Sequence, residues 1–476
     1  MTGKFGGMNM ASNNVIVRLV PKSRSRAPRL DFGLESIQIK PKEFSPDPAR
    51  TRAVLNFFAT RTTVELKPTE KDRIEVEMKR QDFNNLFGTT LRQGEYSDRK
   101  QNRLTAAESF LVPETALPVP DELKDTVDFA YLPRPIEFYG VSYRPPVEDI
   151  SHLRLDDVRA ALNAPRAHRQ DWTGRGVKVA MVDSGFFAHP FFAANGYKLI
   201  ASASPGATNP NDDPSGHGTG ECANIFTIAP DCTVYGVKSG PSAATSLEAA
   251  IALGPDVMSN SWGFDVDVQS RDQLKAADPN FFNELVDIET ILSDAVQSGI
   301  IVVFAAGNGH HAFPGCMPQV ISAGGVTVLE DSALEASSYA SSFKSVIYPG
   351  RSIPDLCGVV GSSGASPQKN YIMLPVPTTG TLDGENFPSG RKKTGWGIFS
   401  GASAACPQLA GAIALFKEIR KSVDAEQART ALIKTATDVT TGRTAMGDKA
   451  AAGPDLATGA GLASVRSACE FIAAMV

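Results

Sequence analysis

The sequence lacks any run of about 18 consecutive apolar residues, the length that a membrane-spanning helix needs. Its N-terminus also lacks the charged-then-apolar order and the cleavage signal of a secretory leader. The formal net charge of -5 gives no indication of a nucleic-acid partner. We therefore expect neither a membrane nor a nucleic acid as a partner, and the cytosol is the expected location.

Cysteine is scarce, and its spacing does not indicate a metal site. The chain holds 6 cysteines but no Cys-x-x-Cys pair and no His/Cys cluster of the kind that binds zinc. An even count is compatible with disulfides, whereas a large chain without a leader favours buried free thiols. We expect the thiols to be free.

No internal repeat divides the chain, but the pattern of apolar and polar residues changes along its first third. Residues 13–112 mix short alternating runs with short helical ones, which predicts a small α+β domain. Residues 1–12 are expected to form a flexible tail, and the Pro-rich stretch 113–150 an extended connector. A basic cluster in this part is compatible with a contact to an acidic surface, but it is expected to be a solvated, poorly ordered arm: Arg18, Lys22, Arg24, Arg26 and Arg29.

From residue 151 to residue 476, apolar runs alternate with helical stretches. Runs such as VAMV and IIVVFA are apolar on both faces, which is typical of strands buried on both sides of a sheet. This pattern predicts an α/β domain with a doubly wound, mostly parallel sheet. Polar motifs follow the strands directly, and the carboxyl ends of such strands are where α/β folds place their sites.

Three of these motifs carry a carboxylate, an imidazole and a hydroxyl. Asp183 ends the run VAMVD, His217 lies between glycines in SGHGTG, and Ser403 opens a helix of small residues in SGASAACPQLAG. Taken singly, each also fits an ordinary turn, a lone histidine or a helix cap. In the order Asp, His, Ser, however, they match one of the known solutions to acyl-transfer catalysis.

Asn308 ends the run IIVVFAAGN, between two glycines. An amide at this place is compatible with a left-handed turn residue alone. Beside a candidate nucleophile and base, its amide is also a candidate donor to the oxyanion of acyl transfer.

Together, the motifs VAMVDSG, GHGTG, SNSWG, AAGNG and SGASAACPQLAG resemble those of the subtilisin-like serine peptidases, over about residues 151–476. The resemblance implies that Asp183 orients His217, that His217 takes the proton of Ser403, and that Ser403 attacks the peptide carbonyl. It also implies that Asn308 and the backbone N–H of Ser403 stabilise the oxyanion.

The resemblance further implies which residues bind the backbone of a protein or peptide substrate. They form two edges: Asn260, Ser261, Trp262 and Gly263 on one, and Ala305, Ala306 and Gly307 on the other. Trp262 stands where the family usually has a smaller aliphatic residue. It therefore either reshapes a pocket for the substrate or packs inside the domain.

The sequence also departs from the family pattern. Gly220 replaces a usual second histidine and Gln408 a histidine of the serine motif, and neither change removes a catalytic group. The interval after the histidine helix is short, and Phe191 replaces a usual acidic residue, so the family's tight calcium loop is expected to be absent. We predict no cofactor, while other calcium sites stay open.

The remaining segments leave alternatives open. The long segments 263–285 and 359–395 either gate access to the site or have no consequence. Residues 13–150 are loosely similar to the family's propeptides, and they are interpreted either as an intramolecular inhibitor and folding aid or as a docking module. The sequence predicts a serine endopeptidase regulated by this part. The alternatives are a processing peptidase restricted to one intracellular substrate and a non-catalytic interaction protein on a peptidase scaffold.

Overall fold

The computed structural model describes most of the chain. The residues described are 14–23, 45–67, 73–95, 103–104, 109–134, 137–139, 152–266, 270–362, 370–385 and 394–475. The predicted tail 1–12 lies outside them, as do Arg24, Arg26 and Arg29 of the basic cluster. No helix within these ranges is long and apolar enough to cross a membrane.

The N-terminal part folds as an antiparallel sheet packed against two helices. Its elements are β1 (Asn14–Pro21), α1 (Pro48–Ala59), β2 (Val64–Lys67), β3 (Ile74–Lys79), α2 (Arg80–Phe87), β4 (Leu91–Glu95), β5 (Arg103–Leu104), β6 (Ser109–Pro113), β7 (Val127–Tyr131) and β8 (Glu137–Tyr139). The sheet has the order β2-β3-β1-β7, and every pairing is antiparallel. Strand β7 comes from the Pro-rich stretch expected to be a connector, so the sheet includes part of that stretch.

Local sequence explains the limits of the two helices. Asp47 caps α1, because its Oδ1 accepts hydrogen bonds from the N–H groups of Ala49 (2.8 Å) and Arg50 (3.3 Å). Gly88 ends α2 in the left-handed conformation, with φ 63°. Both helices bury phenylalanine side chains against β1 and β3, which gives the N-terminal part a core of its own.

Arg18 is buried, contrary to the expectation of a solvated arm. It lies within β1 with no exposed surface, and its guanidinium lies 2.9 Å from Asp287, 2.7 Å from Glu248 and 3.5 Å from Glu75. Successive side chains of a strand point to opposite faces of the sheet. Val17 and Leu19 join the core of the N-terminal part, so Arg18 between them points to the other face, toward Glu248 and Asp287.

The second part contains the remaining elements. They are α3 (Leu155–Ala161), α4 (Ala164–His168), β9 (Lys178–Asp183), α5 (Pro190–Ala194), β10 (Lys198–Ala203), α6 (His217–Ile228), β11 (Thr233–Lys238), α7 (Ala243–Ala252), β12 (Val257–Asn260), β13 (Trp262–Asp265), α8 (Arg271–Ala277), α9 (Pro279–Gln297), β14 (Ile301–Ala305), β15 (Ala312–Phe313), β16 (Ile321–Val328), β17 (Leu334–Ala336), β18 (Phe343–Lys344), β19 (Ser352–Ile353), β20 (Leu356–Val360), β21 (Ile372–Pro375), α10 (Thr381–Glu385), β22 (Trp396–Phe399), α11 (Ala402–Ile419), α12 (Ala425–Thr435) and α13 (Val465–Ala474).

The main sheet of this part is parallel except at one strand. It runs β10-β11-β9-β12-β14-β16, and β20 also pairs with β16 in parallel. Only β17, which pairs with β16, is antiparallel among the strands described for this sheet. The predicted α/β fold with a doubly wound, mostly parallel sheet is therefore confirmed.

Helices cover both faces of this sheet. In β9, Val179 and Met181 join the hydrophobic cluster beneath α6 and α11, whereas Ala180 and Val182 join the cluster beneath α7 and α9. Because both faces are buried, the strand is apolar from Val179 to Val182, between Lys178 and Asp183. Asp183, the polar residue at the carboxyl end of β9, therefore lies at the edge of the sheet that holds the candidate site.

The N-terminal sheet packs onto the outer surface of α7 and α9. Val20, Phe129 and Tyr131 belong to the same hydrophobic cluster as these two helices. The hydroxyl of Tyr131 donates to Oδ2 of Asp287 in α9 at 2.8 Å. The two parts of the chain thus share an apolar and polar interface.

The cysteines are free and buried, as expected. All six lie within the described residues, and no disulfide joins any of them. Burial raises the pKa of the Cys406 thiol to about 12. These thiols therefore behave as small hydrophobic residues at neutral pH.

Candidate active site

Asp183 and His217 are hydrogen-bonded at the carboxyl ends of the parallel strands. Asp183 is the last residue of β9, and His217 is the first residue of α6. Nδ1 of His217 lies 2.8 Å from Oδ1 of Asp183, and neither side chain is more than 1% exposed. Because a carboxylate only accepts, Nδ1 carries the proton. In the neutral ring Nε2 is then the basic nitrogen.

Two glycines allow α6 to begin against the end of β9. Gly216 is in the left-handed region, with φ 87°. A Cβ on Gly218 would lie 2.3 Å from the carbonyl oxygen of Gly185 and 2.9 Å from Cβ of Asp183. Only glycine permits this approach, so the SGHGTG motif brings the imidazole to the carboxylate.

Sequence reasoning missed Asp213, which shapes the turn before α6. Its Oδ1 accepts from the N–H of Gly216 at 2.9 Å. Its Oδ2 accepts from the N–H and the hydroxyl of Thr219, at 2.9 Å and 2.6 Å. Aspartate is common in turns for such local hydrogen bonds, so the letters DDPSG gave no specific signal.

Ser403 lies in the first turn of α11, against the junction of β12 and β13. Its Oγ donates to the carbonyl oxygen of Ser261 at 3.3 Å, and Oγ of Ser261 donates to the carbonyl oxygen of Ser403 at 2.8 Å. The small residues of α11 let it lie deep in the domain, where every position from Ala402 to Lys417 is buried. The helix that carries Ser403 packs alongside the helix that begins at His217.

Asn308 presents its side-chain amide beside the start of α11. Its Oδ1 accepts from the N–H of Ala402 at 2.9 Å. Since an N–H only donates, the oxygen must face it, and Nδ2 is directed elsewhere. Nδ2 is buried and has no hydrogen-bond partner among the described residues. The amide next to the candidate nucleophile thus keeps a donor available for an incoming oxyanion.

Burial and charge act in opposite directions on the imidazole. Burial alone would lower the pKa of His217, but the charge of Asp183 and its hydrogen bond outweigh burial and raise the pKa from 6.5 to about 9. Glu221 lies one turn further along α6, and burial raises its pKa to about 7 although the charge of His217 lowers it. The neutral imidazole that a general base requires therefore forms at alkaline pH.

Gly220 and Gln408, which depart from the family's histidine and serine motifs, each make a specific contact. A Cβ on Gly220 would lie 2.2 Å from Cζ of Phe399, so this ring fills the space beside the glycine. Gln408 ties α11 to β20, because its amide donates to the carbonyl oxygen of Val359 at 2.9 Å and accepts from the N–H of the same residue at 2.8 Å.

The residues predicted to bind the substrate backbone are buried. This holds for Asn260, Ser261, Trp262, Gly263, Ala305, Ala306 and Gly307. The indole of Trp262 packs edge-on against Phe304 and Phe264, with ring centroids 5.3 Å and 6.2 Å apart. This favours packing over a pocket-shaping role for the Trp262 side chain.

One of the two edges is paired with a strand from the N-terminal part. Strand β13 pairs antiparallel with β8, and on its other side with β15. Strand β8 in turn pairs antiparallel with β5. A segment from the stretch 113–150 thus lies along the edge that contains Trp262 and Gly263.

Two further expectations concern metals and loops. In the part of the chain that the structure describes, no three His, Cys, Asp or Glu side chains are grouped so that they could hold a metal ion. The absence of the family's calcium loop stays a prediction. The segments 263–285 and 359–395 are described only in part, so their role at the site also stays a prediction.

Known proteins resemble the second part of the chain. The Subtilase family profile matches residues 174–461. Subtilisin NAT from Bacillus subtilis subsp. natto is 28% identical over 301 residues, which cover 58% of this chain and 64% of that protein. Subtilisin from Bacillus pumilus is 28% identical over 303 residues, which cover 58% of this chain and 89% of that protein. The chain thus matches less than two thirds of the length of the first of these relatives.

Two solved structures share the fold. Fervidolysin from Fervidobacterium pennivorans, a keratinolytic enzyme related to subtilisin, superposes with a TM-score of 0.56 at 14% identity, over 96% of this chain and 61% of its own. A lanthipeptide protease superposes with a TM-score of 0.51 at 20% identity, over 69% of this chain and 99% of its own. At these identities the likeness concerns the fold alone. The family match, however, spans most of the chain and includes Asp183, His217, Asn308 and Ser403, and the chain therefore belongs to the subtilase family.

Proposed function

We propose that the protein is a serine endopeptidase that hydrolyses peptide bonds of proteins or peptides through an acyl-enzyme on Ser403. Asp183 orients His217, and Nε2 of His217 accepts the proton of the Ser403 hydroxyl as its oxygen attacks the carbonyl carbon. Nδ2 of Asn308 and the backbone N–H of Ser403 donate to the oxyanion. The imidazolium then protonates the leaving amine, and water hydrolyses the ester.

The buried hydrogen bond between Asp183 and His217 carries this proposal. At 2.8 Å it fixes both the orientation and the tautomer of the ring, which a general base requires. Two features around it add support. The helix that bears Ser403 packs alongside α6, and the buried Nδ2 of Asn308 has no acceptor among the described residues.

Single and double substitutions test the proposal. Turnover of casein and of a quenched peptide is measured for the wild type and for Ser403→Ala, His217→Ala and Asp183→Asn. Each change should lower turnover by on the order of 10⁴ or more. The double variant Ser403→Ala/His217→Ala should be no slower than either single variant, because the groups act as a unit. Near-normal proteolysis by Ser403→Ala would end the proposal.

We also propose that the N-terminal part is an intramolecular inhibitor that acts like a propeptide. Strand β8 pairs with Trp262 and Gly263, the edge that the family resemblance assigns to the substrate backbone. A substrate cannot form the same backbone hydrogen bonds while β8 occupies them. A docking module for another protein would have no reason to cover this edge, so the inhibitor interpretation is the better supported of the two.

Proline in the middle of β8 tests the inhibition. Phe138→Pro removes a backbone N–H inside a strand that pairs on both sides and should weaken the pairing of β8, so that the initial rate on a small peptide rises above that of the wild type. Phe138→Ala keeps the N–H and is the matched control, with an unchanged initial rate expected. Equal initial rates for the three proteins would rule out inhibition by β8.

The occupied edge also supports a second candidate function, a processing peptidase restricted to one substrate. Only a substrate that displaces β8 would then be cleaved, and broad hydrolysis of casein by the full-length chain would speak against it. A non-catalytic interaction protein is the remaining alternative. Failure of the folded protein to react with a fluorophosphonate would favour it. A cytosolic location stays a prediction from the sequence.

A further inference from the structure

Glu221 is a buried carboxyl group to which the proposed mechanism gives no role. It lies in α6, one turn after His217, and it has no exposed surface. Residues one turn apart lie on the same face of a helix, and helical side chains lean toward the amino end of the helix. The side chain of Glu221 therefore extends toward the turn that carries the imidazole.

One oxygen of this carboxyl group is held and the other is not. Oε2 of Glu221 accepts a hydrogen bond from Nδ2 of Asn224 at 2.8 Å. Oε1 is buried and has no hydrogen-bond partner among the described residues. No lysine or arginine in those ranges forms an ion pair with the group. A buried carboxylate in this setting requires a positive charge nearby.

The direction of the hydrogen bonds around Asn224 follows from a backbone group. The N–H of Val359 donates to Oε1 of Gln408 at 2.8 Å, so Nε2 of Gln408 faces Asn224 as a donor. It donates to Oδ1 of Asn224 at 3.2 Å, which leaves Nδ2 to donate to Glu221. Since Gln408 belongs to α11, the carboxyl group is held as an acceptor by the helix that bears Ser403.

The charged groups that act on Glu221 and His217 come from three neighbouring segments. Strand β9 contributes Asp183, the turn before α6 contributes Asp213, and α11 contributes the Cys406 thiol. The thiol stays neutral, because burial raises its pKa to about 12. The other elements against α6 in the described part, α3, β11 and β21, add no charge that acts on Glu221. The imidazolium is therefore the cation that compensates the carboxylate.

The imidazolium forms during the reaction, when Nε2 of His217 takes the proton of Ser403. A negative charge one turn away favours the protonated ring, so it stabilises the imidazolium and the transition state that leads to it. The coupling is reciprocal. Together with the larger effect of Asp183, Glu221 raises the pKa of His217 against burial, and the charge of His217 lowers the pKa of Glu221, which burial raises.

We propose that Glu221 is a positioning residue of the active site, a second carboxylate that is held through Asn224 and Gln408 and stabilises His217 in its protonated form during acyl transfer. The inference rests on the proposed function, because it takes His217 as the general base. It goes further by giving a role to a carboxyl group that touches neither the substrate nor the nucleophile.

The pH profile of kcat/KM on a small quenched peptide tests this role. Glu221→Gln keeps an acceptor for Nδ2 of Asn224 and removes the charge. The midpoint on the acid side should move down by about one pH unit. Above both midpoints kcat/KM should fall by between about threefold and about tenfold, because the base is weaker. Near neutral pH the variant should be at least as fast as the wild type, because more of its base is neutral.

Glu418→Gln is the matched control. Glu418 lies at the opposite end of α11 from Ser403, where its Oε2 accepts from the N–H groups of Thr173 and Gly174, each at 2.7 Å. Its pH profile should coincide with that of the wild type. If Glu221→Gln does not fold, Glu221→Met takes its place, because methionine is uncharged and similar in length, and the same shift is expected.

Nuclear magnetic resonance of the Ser403→Ala protein with isotope-labelled histidine measures the titration of His217 without turnover. The resonance is identified by its loss in the His217→Ala protein. Addition of Glu221→Gln should lower the midpoint of the titration by about one pH unit.

Several results would overturn the inference. Coincident profiles for the wild type and Glu221→Gln, a loss of rate by the same factor at every pH, or an unmoved titration of His217 would each contradict it and leave the proposed function standing. A protein without peptidase activity in which the titration of His217 still moves would refute the proposed function, and with it the role of Glu221 in catalysis, although the coupling of the two groups would stand.

Discussion

Arg18 in β1 donates through Nε to Oδ2 of Asp287 in α9 at 2.9 Å, and both side chains are completely buried. Arg73 donates to the other carboxylate oxygen at 2.9 Å. Burial alone would raise the pKa of Asp287, but Arg73 and Arg18 outweigh burial and hold it well below its usual range. The N-terminal part is thus joined to the second part by a buried cluster of ion pairs, in which removal of one partner leaves an uncompensated buried charge.

Arg18→Ala is expected to destabilise the protein by about 3–5 kcal/mol, because it leaves Asp287 and Glu248 buried with less compensating charge. Chemical unfolding in a Ser403→Ala background measures this without interference from proteolysis. Arg52→Ala, on the exposed side of α1, is the matched control and should unfold like its parent. If both variants unfold alike, the cluster does not stabilise the docked state.

Glu284 of α9 is expected to make the stability of the interface depend on pH. Its carboxylate accepts from the N–H of Arg134, at 3.0 Å and 3.2 Å to its two oxygens. Burial raises the pKa of Glu284 to about 8, although these hydrogen bonds lower it. A carboxyl with a folded pKa above its unfolded value contributes stability at low pH, and this contribution is lost as the pH rises through about 8.

Melting temperatures across the range from about pH 6 to about pH 9 test this linkage. The Ser403→Ala protein should lose stability as the pH rises. The double variant Ser403→Ala/Glu284→Gln should lose less, because an amide does not titrate and can still accept from the N–H of Arg134. Parallel curves for the two proteins would show that Glu284 does not titrate in this range.

The rate should rise with pH on the acid side of its profile, at a position above the ordinary pKa of histidine. His217 accepts a proton only when neutral, and Asp183 raises its pKa from 6.5 to about 9. The midpoint of kcat/KM should therefore lie between these two values. In Asp183→Asn the midpoint should move down, because the charge that raises the pKa is gone, while the rate falls. A wild-type midpoint below 6.5 would contradict the assignment.

Asn308→Ala should lower kcat by about 10²–10³ with little change in KM, because the lost donor acts on the transition state. Asn308→Asp retains an acceptor for the N–H of Ala402 and loses the donor Nδ2, so it should be slow as well. Thermal unfolding of each variant separates a loss of the oxyanion donor from a loss of fold. A stable Asn308→Ala variant with normal kcat would remove Asn308 from the mechanism.

The candidate site could be predicted from the sequence because its signals are local. Asp183, His217 and Ser403 each lie where an apolar run or small-residue helix meets a glycine, and such junctions are visible within a few letters. Tyr339 was missed for the opposite reason. Its hydroxyl accepts from the N–H of Gly401 at 2.7 Å just before α11, yet nothing near Tyr339 in the sequence indicates that contact.

The interface between the two parts could not be predicted from the sequence. Arg18 forms ion pairs with Asp287 and Glu248, which lie 269 and 230 residues away in the sequence. A basic run alone indicates only a solvated surface. Likewise, the Pro-rich stretch showed no sign that β8 would pair with β13. Such pairing depends on the register between distant segments, which hydrophobic pattern and turn signals do not specify for a strand of three residues.

The most direct test of the central claim is reaction of the wild-type protein with a fluorophosphonate, followed by peptide mapping and a parallel peptidase assay. A single adduct on Ser403, formed in step with the loss of peptidase activity and absent from Ser403→Ala, is the predicted result. An adduct on another serine, or peptidase activity that survives in Ser403→Ala, would contradict the account.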